Sequence, residues 1–281
     1  MTRIEEGAST KATPSLLALS RAASEHSKVI FRRRFFARLT TLALGVGALC
    51  VPADYAKVAY MLSIAVLMME LAVWCLNRWG TSKHELGEAA RRHAMLTDAF
   101  GEAPELEEVI DLRTRFGSGD EARAASLEDP NYYASEAEPG LVRLRENLVE
   151  SAFYSKSHFR LAAARAWKQL VAVCAIVLLT GWIGLTATEG NTELFIARVV
   201  VLLVGGVVAM DVLGRALSWQ DAARDSESVY KRLGAAGRKG AKEALAVFGD
   251  YFVATSSCAP IPTEIHEKNH DRLSALYEER S

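Results

Sequence analysis

Four ionisable side chains lie inside or at the ends of long apolar runs, and they are the residues best placed to do chemistry in this sequence. They are Arg38, Glu70, Arg198 and Asp211. A charged side chain at the centre of a bilayer costs about 2.5–3.5 kcal/mol on insertion scales, so each is a candidate functional group. Arg38, Glu70 and Asp211 are expected at a similar depth in the membrane, so Arg38 could reach either acidic residue. Three interpretations stay open: a structural clamp between helices, a group that lines or gates a pore, and a side chain that extends to the lipid interface.

Motifs of catalysis and metal binding are missing from the sequence. It contains no P-loop and no GxGxxG, GxSxG or HExxH pattern. His266 and His270 have helical i,i+4 spacing, for which a solvated helix face is the expected explanation. The cysteines lie far apart, which predicts buried thiols and neither a disulfide nor a zinc site. They are Cys50, Cys75, Cys174 and Cys258. We therefore expect a protein that is not an enzyme and that has no metal or cofactor.

Four apolar stretches must position the charged residues. They are Phe35–Val51, Val58–Leu76, Trp167–Leu185 and Leu194–Leu213. Each is about as long as the ~20 residues with which a helix crosses a bilayer, and lipid leaves the backbone no partner outside the helix. The predicted fold is all-α: an integral membrane protein with four transmembrane helices in two hairpins, plus a cytoplasmic helical domain. The corresponding segments are a tail with an interfacial helix (1–34), the first hairpin (35–79), a helical segment (80–165), the second hairpin (166–216) and a C-terminal helical segment (217–281).

Basic residues predict the orientation of the hairpins. Arginines and lysines flank all four stretches on the side of the termini and the middle segment, whereas the two short connections carry one lysine between them. By the positive-inside rule, both termini and the middle segment face the cytoplasm. The formal net charge of -1 gives no reason to expect a DNA or RNA duplex as a partner.

The polar segments read as helices joined by short loops. Leu16–Phe31 predicts a helix that lies at the membrane interface and leads into the first apolar stretch, with a topology signal alone as the alternative. Thr81 predicts the cap of a separate helix that ends near Phe100. Residues 117–140 predict a loop with at most one short helical turn. Pro139 begins a pattern that runs unbroken into the third stretch. Its apolar positions have the spacing of a buried stripe: Leu141, Leu144, Leu148, Ala152 and Phe159.

Small residues are frequent in the apolar stretches and permit close helix approach. Gly45, Gly47, Gly181 and Gly205 are examples. Packing within the chain is favoured over a dimer motif. A four-helix bundle fills its own core, so a pore would need several copies of the chain.

Two passages resemble a known family. They are DPNYYASEAEPGLVRLRENLVESAFYSKSHF, before the third stretch, and FGDYFVATSSCAPIPTEIHEKNHDRLSALY, near the end. With the two-plus-two spacing of the spans, they resemble the bacterial SMODS-associated four-transmembrane effector family. The residues that carry the resemblance are Tyr132, Tyr133, Arg143, Arg145, Glu150, Ser151, Phe153, Pro260, Pro262, Asn269, Asp271 and Arg272.

The resemblance implies a role in anti-phage defence of the CBASS type. In that role, a cyclic oligonucleotide made on infection binds the cytoplasmic side of an effector in the bacterial inner membrane, and the effector oligomerises and permeabilises the bilayer. Phosphates need cations and bases need flat groups. Tyr132, Tyr133, Arg143 and Arg145 offer both, although loop packing of the tyrosines and salt bridges of the arginines are the alternatives. A membrane scaffold that recruits cytoplasmic protein partners stays open as a different function, and a small transporter as a third.

Overall fold

The computed structural model describes residues 14–101, 106–129, 132–186, 192–235 and 241–279. Within these ranges the chain is helical and contains no strand, so the all-α prediction is confirmed. A 3-10 turn, Ala53–Tyr55, precedes α2. The eight α-helices of the described part are α1 (Leu16–Cys50), α2 (Ala56–Phe100), α3 (Leu106–Thr114), α4 (Ser118–Ala124), α5 (Leu141–Thr186), α6 (Thr192–Ala235), α7 (Ala241–Ser256) and α8 (Thr263–Glu278).

Three of these helices are long and apolar enough to span a membrane. They are α2, α5 and α6, whose apolar segments lie within Ala56–Phe100, Leu141–Leu179 and Val201–Gly234. Helix α1, which holds the first apolar stretch, is not among them. Its apolar part is short, because it begins after Arg34, contains Arg38 and ends with the helix. Three spans are thus supported by length and composition, and the fourth stays a prediction.

The long helices form two antiparallel hairpins, α1 with α2 and α5 with α6, and these are the most extensive helix pairs of the fold. Glycines let the helices approach closely within the chain. A β-carbon on Gly45 of α1 would lie 2.9 Å from Cγ1 of Val201 on α6, and one on Gly205 would lie 3.0 Å from Val177 of α5. Gly47 faces open space. The prediction of packing within the chain is therefore confirmed at Gly45 and Gly205.

Large apolar side chains are exposed along both hairpins. Examples are Phe36 on α1, Met61 and Trp74 on α2, Leu178 on α5 and Met210 on α6. A soluble monomer does not tolerate a continuous apolar surface of this kind. The exposed surface indicates association with a membrane.

The polar halves of the helices pack into a helical bundle. Its main core joins helices far apart in sequence: Met95 of α2, Leu148 of α5, Leu233 of α6, Tyr251 of α7 and Leu273 of α8. The predicted stripe on α5 contributes Leu144, Leu148, Ala152 and Phe159 as buried residues, which confirms that part of the interpretation. Both hairpins therefore contribute to one core.

Three sequence predictions about the polar segments need correction. The helix over 16–31 continues into the first apolar stretch as predicted, but its apolar face is covered by protein and is not left for a membrane interface. It is the beginning of α1, and Leu19 and Ala22 are buried in a cluster with residues of α2, α3 and α4. Helix α2 does not restart at Thr81, because Gly80 keeps its helical conformation and serves close packing against Phe31 of α1. Between 117 and 140, α4 is a helix of seven residues rather than a single turn.

Candidate functional site

An ion-pair cluster joins the two hairpins near the polar ends of their apolar segments. Nη1 of Arg38 donates to Oε1 of Glu70 at 2.6 Å, within the first hairpin. Arg34 of α1 donates through Nη2 to Oδ1 of Asp211 on α6. The Nε of Arg38 lies 3.9 Å from Oδ2 of Asp211, and Nη2 of Arg215 lies 3.5 Å from the same oxygen. Asp211 is thus the anion around which the first and second hairpins meet.

Helical spacing explains why these five residues meet. Arg34 and Arg38 are four residues apart on α1, and Asp211 and Arg215 are four apart on α6, so each pair lies on one helix face. These two faces are turned towards each other, and α2 adds Glu70 from within its own hairpin. The cluster therefore needs three helices in register.

The cluster is largely buried and carries a surplus of positive charge. The side chain of Arg34 is 5% exposed and that of Asp211 is 22% exposed. Three guanidinium groups face two carboxylates, which leaves one net positive charge. Breaking a buried ion pair by removing one partner typically costs about 3–5 kcal/mol, since it strands the other charge. The arrangement is therefore able to hold the two hairpins together.

The structure brings together three of the four charged residues that the sequence singled out, Arg38, Glu70 and Asp211. The side chain of the fourth, Arg198, lies outside the described residues. Arg34 and Arg215 were not among the predicted site residues, because arginines at the end of a span are read as orientation signals. Their i,i+4 spacing to Arg38 and to Asp211 is the signal that could have identified them.

The two arginines predicted to bind a ligand are held by contacts within the bundle. Arg143 donates to both carboxylate oxygens of Asp98, at 2.9 and 2.7 Å, and to the carbonyl oxygen of Ala137 at 3.2 Å. Arg145 donates to the carbonyl oxygen of Leu233, near the end of α6, at 2.8 Å. The two guanidinium groups thus have different partners: Arg143 binds a carboxylate and a carbonyl oxygen, and Arg145 binds a carbonyl oxygen.

The two tyrosines predicted to bind a ligand differ in burial. Tyr132 is 40% exposed, and the guanidinium of Arg21 lies 5.9 Å from its ring centroid. Tyr133 packs against the main core, and its buried hydroxyl has no hydrogen-bond partner in the described part of the chain. Burial raises the pKa of Tyr133 well above its usual value. Tyr132 is therefore the member of the pair with a free face.

A second polar network links α2 to α7 inside the bundle. Arg91 pairs with Glu88 at 2.7 Å, and the hydroxyl of Thr255 donates to Glu88 at 2.9 Å. The guanidinium of Arg91 also lies over the rings of Tyr251 and Phe252. Burial acts to raise the pKa of Glu88, but the charge of Arg91 and the hydrogen bonds from Thr255 and Arg91 together hold that pKa below the usual value. This network could not be predicted from the sequence, because Thr255 of α7 lies 167 positions from Glu88 of α2.

Three histidines meet between α5 and α8. The ring of His158 lies 5.0 Å from that of His266, which lies 5.2 Å from that of His270. His158 is buried, whereas the two histidines of α8 are exposed as predicted. Burial and the neighbouring positive charges lower the pKa of His158 to about 4. His158 is therefore neutral at physiological pH.

Metal and thiol chemistry find little support in the described ranges. No group of three or more His, Cys, Asp or Glu side chains there could hold a metal ion. Cys258 is buried, and burial raises the pKa of its thiol. Cys75 is exposed on α2, which corrects the prediction that the thiols are buried.

No protein-family model, curated protein or solved structure matches this chain.

Proposed function

We propose that this chain is a membrane effector of bacterial anti-phage defence that binds a cyclic oligonucleotide on its cytoplasmic side, oligomerises and permeabilises the inner membrane. The resemblance described from the sequence suggests this role. One structural observation supports it: α2, α5 and α6 each run without a break from the exposed apolar surface into the helical bundle. A ligand that reshapes the bundle would therefore move the membrane segments directly.

In this proposal α1 is the fourth span. It pairs along its length with α2, and its Phe36 is exposed in the same way as the apolar residues of α2. Tyr60 and Trp79 are exposed on α2, and their separation of 19 positions corresponds to about 28 Å of helix. This separation is close to the ~30 Å of a hydrocarbon core, at whose two boundaries aromatic residues are enriched. The basic residues then put both termini and the bundle in the cytoplasm.

The ion-pair cluster acts as a clamp that keeps the two hairpins together in the resting protein. Asp211 belongs to the second hairpin, and its partners Arg34 and Arg38 belong to the first. A movement of the bundle that separates α1 from α6 would break these pairs. The freed hairpin surfaces would then be available to other copies of the chain, as a pore built from several copies requires.

The ligand would use the exposed face of Tyr132 for a base and Arg21 for a phosphate. Arg21 lies beside that ring and is bonded to the carbonyl oxygen of Leu127 and, at 3.3 Å, to Asp129. Arg143 and Arg145 can join the site only if they leave Asp98 and the Leu233 carbonyl. Ligand binding would thereby loosen contacts between α2, α5 and α6, which are the helices that continue into the membrane.

Dye release from liposomes tests the proposal. The purified full chain is reconstituted in liposomes that contain a small dye, and a panel of cyclic di- and trinucleotides is added. We expect release with at least one member of the panel, and no release with the corresponding linear nucleotides. Absence of release with every cyclic nucleotide, together with tight membranes and a stable protein partner recovered from cells, would instead favour the scaffold function.

A further inference from the structure

A polar cleft lies beside the ion-pair cluster, where the hairpins meet the corner between α7 and α8. Its volume is about 230 Å³, against about 30 Å³ for one water molecule in the liquid. Arg34, Asp211 and Arg215 line it from the cluster side, and α2 contributes Asn77, Thr81 and His84. The cleft therefore has room for a polar ligand of several heavy atoms, surrounded by hydrogen-bonding groups.

The cluster has more unpartnered hydrogen-bond donors than unpartnered acceptors. The Nε atoms of Arg34, Arg38 and Arg215 are buried and have no hydrogen-bond partner among the described residues. The same is true of Oδ2 of Asp211. Three unpartnered cationic donors thus face one unpartnered acceptor. A buried donor without a partner costs free energy, and more so when it is charged. The cluster therefore has fewer acceptors than its guanidinium groups can use, which favours an anion over a cation in the cleft beside it.

The net positive charge of the cluster also favours an anion in the cleft. Arg38 is neutralised by Glu70, and Arg34 is neutralised by Asp211. Arg215 has only a 3.5 Å approach to Asp211, which already bonds Arg34, so it is the surplus cation. Its side chain is 22% exposed and lines the cleft. Guanidinium groups bind phosphate oxygens strongly, and basic pockets between membrane helices on the cytoplasmic side bind anionic headgroups.

We propose that this cleft, which we name the juxtamembrane cleft, binds a phosphate group, with Arg215 and Arg34 as its cationic contacts and Thr81 as a hydroxyl donor. The phosphate would come either from an anionic phospholipid of the inner leaflet or from a soluble phosphate compound. The proposal depends on the membrane arrangement of the hairpins and not on gating by a nucleotide. Binding would neutralise the surplus positive charge of the cluster and stabilise the junction between the hairpins.

The test uses the full chain in nanodiscs and two probes. In the soluble arm, inorganic phosphate is titrated into protein held in phosphatidylcholine, with sulfate-free buffer of constant ionic strength. In the lipid arm, phosphatidylglycerol is added without inorganic phosphate, and the lipid retained by the protein is counted by native mass spectrometry. We expect saturable binding in at least one arm, and the responding arm identifies the source of the phosphate.

Variants assign the binding to the cleft. Arg215→Gln should weaken it by about 10-fold or more, because it removes a charge-assisted contact. Arg224→Gln, on the same helix but 67% exposed, should leave it within about twofold, as expected for a solvated surface charge. Thr81→Val changes no ion pair, so it should weaken binding even if Arg215→Gln fails to fold. No saturable binding in either arm, or binding that none of the cleft variants weakens, would overturn the proposal. Neither result bears on dye release, which measures the proposed function separately.

Discussion

Arg34 and Asp211 are 177 positions apart in the sequence and form a hydrogen-bonded ion pair between the first and the second hairpin. Arg34 is 5% exposed, so its charge has little access to water and depends on this partner. Arg38 and Arg215 approach the same aspartate from either side. The packing of the hairpins therefore depends on one carboxylate, and this leads to a direct prediction.

Asp211→Asn should destabilise the protein by about 3–5 kcal/mol, because it strands the buried charge of Arg34. The measurement is the unfolding midpoint of the detergent-solubilised chain. Asp221→Asn is the matched control on the same helix, since Asp221 is 65% exposed and pairs only with Arg224 in the described contacts. It should change the free energy of unfolding by no more than about 0.5 kcal/mol. Equal midpoints for the two variants would show that the cluster does not hold the hairpins together.

Gly45→Ala should destabilise the contact between α1 and α6. The new methyl group would lie 2.9 Å from Cγ1 of Val201, a stiff side chain with little freedom to move away. Overpacking of this kind costs about 1–3 kcal/mol.

Gly47→Ala is the control two residues along α1. Its methyl group would meet nothing within 4 Å, so the change should be neutral or should stabilise the helix by up to about 1 kcal/mol. Measured side by side in detergent, a Gly45→Ala protein as stable as Gly47→Ala would contradict the packing described for the hairpins.

The stability of the bundle should fall between about pH 6.5 and about pH 4. The folded protein holds His158 neutral with a pKa of about 4, against 6.5 for the unperturbed side chain, so the unfolded chain binds more protons in this interval. Stability therefore increases with pH across the interval, and its full range is roughly 3 kcal/mol. The groups around His158 are Tyr154 on its own helix, His266 and His270 on α8, and the charge of Lys28 on α1.

His158→Gln isolates this contribution. The variant should show a shallower dependence of unfolding free energy on pH over the same interval, because its side chain does not titrate. His270→Gln, at the exposed end of the histidine group, should keep the larger part of the dependence. Unfolding curves of His158→Gln that follow the wild type at every pH would show that another group controls acid stability.

Substitutions of the two adjacent tyrosines should have different effects, one mainly on ligand response and the other mainly on stability. Tyr132→Ala should abolish or strongly weaken dye release by a cyclic oligonucleotide and should destabilise the protein less than Tyr133→Ala, because Tyr132 is 40% exposed. Tyr133→Ala should destabilise the bundle by more than about 1 kcal/mol, because its ring packs against the main core. A Tyr132→Ala protein that responds to the ligand like the wild type would remove Tyr132 from the proposed site.

Much of the fold could be predicted from the sequence, because hydropathy and helical spacing are local signals. They identified the apolar helices and the buried stripe of α5. The continuity of α2 through Gly80 could not be predicted, because Phe31 of α1 provides the contact that makes a glycine useful there. The pairing of Arg143 with Asp98 is likewise a tertiary contact across 45 positions. Depth in the membrane suggested the meeting of Arg38 with Glu70, whereas Arg34 and Arg215 look like ordinary flanking charges until their partners are known.

The proposed arrangement has two hairpins in the bilayer and a helical bundle on the cytoplasmic side. Protease protection of the full chain in spheroplasts and in inverted inner-membrane vesicles tests this arrangement most directly. We predict that the chain stays in the membrane pellet after alkaline extraction, and that the bundle is digested in inverted vesicles and protected in intact spheroplasts. A chain released into the supernatant, or a bundle digested from outside intact spheroplasts, would contradict the account.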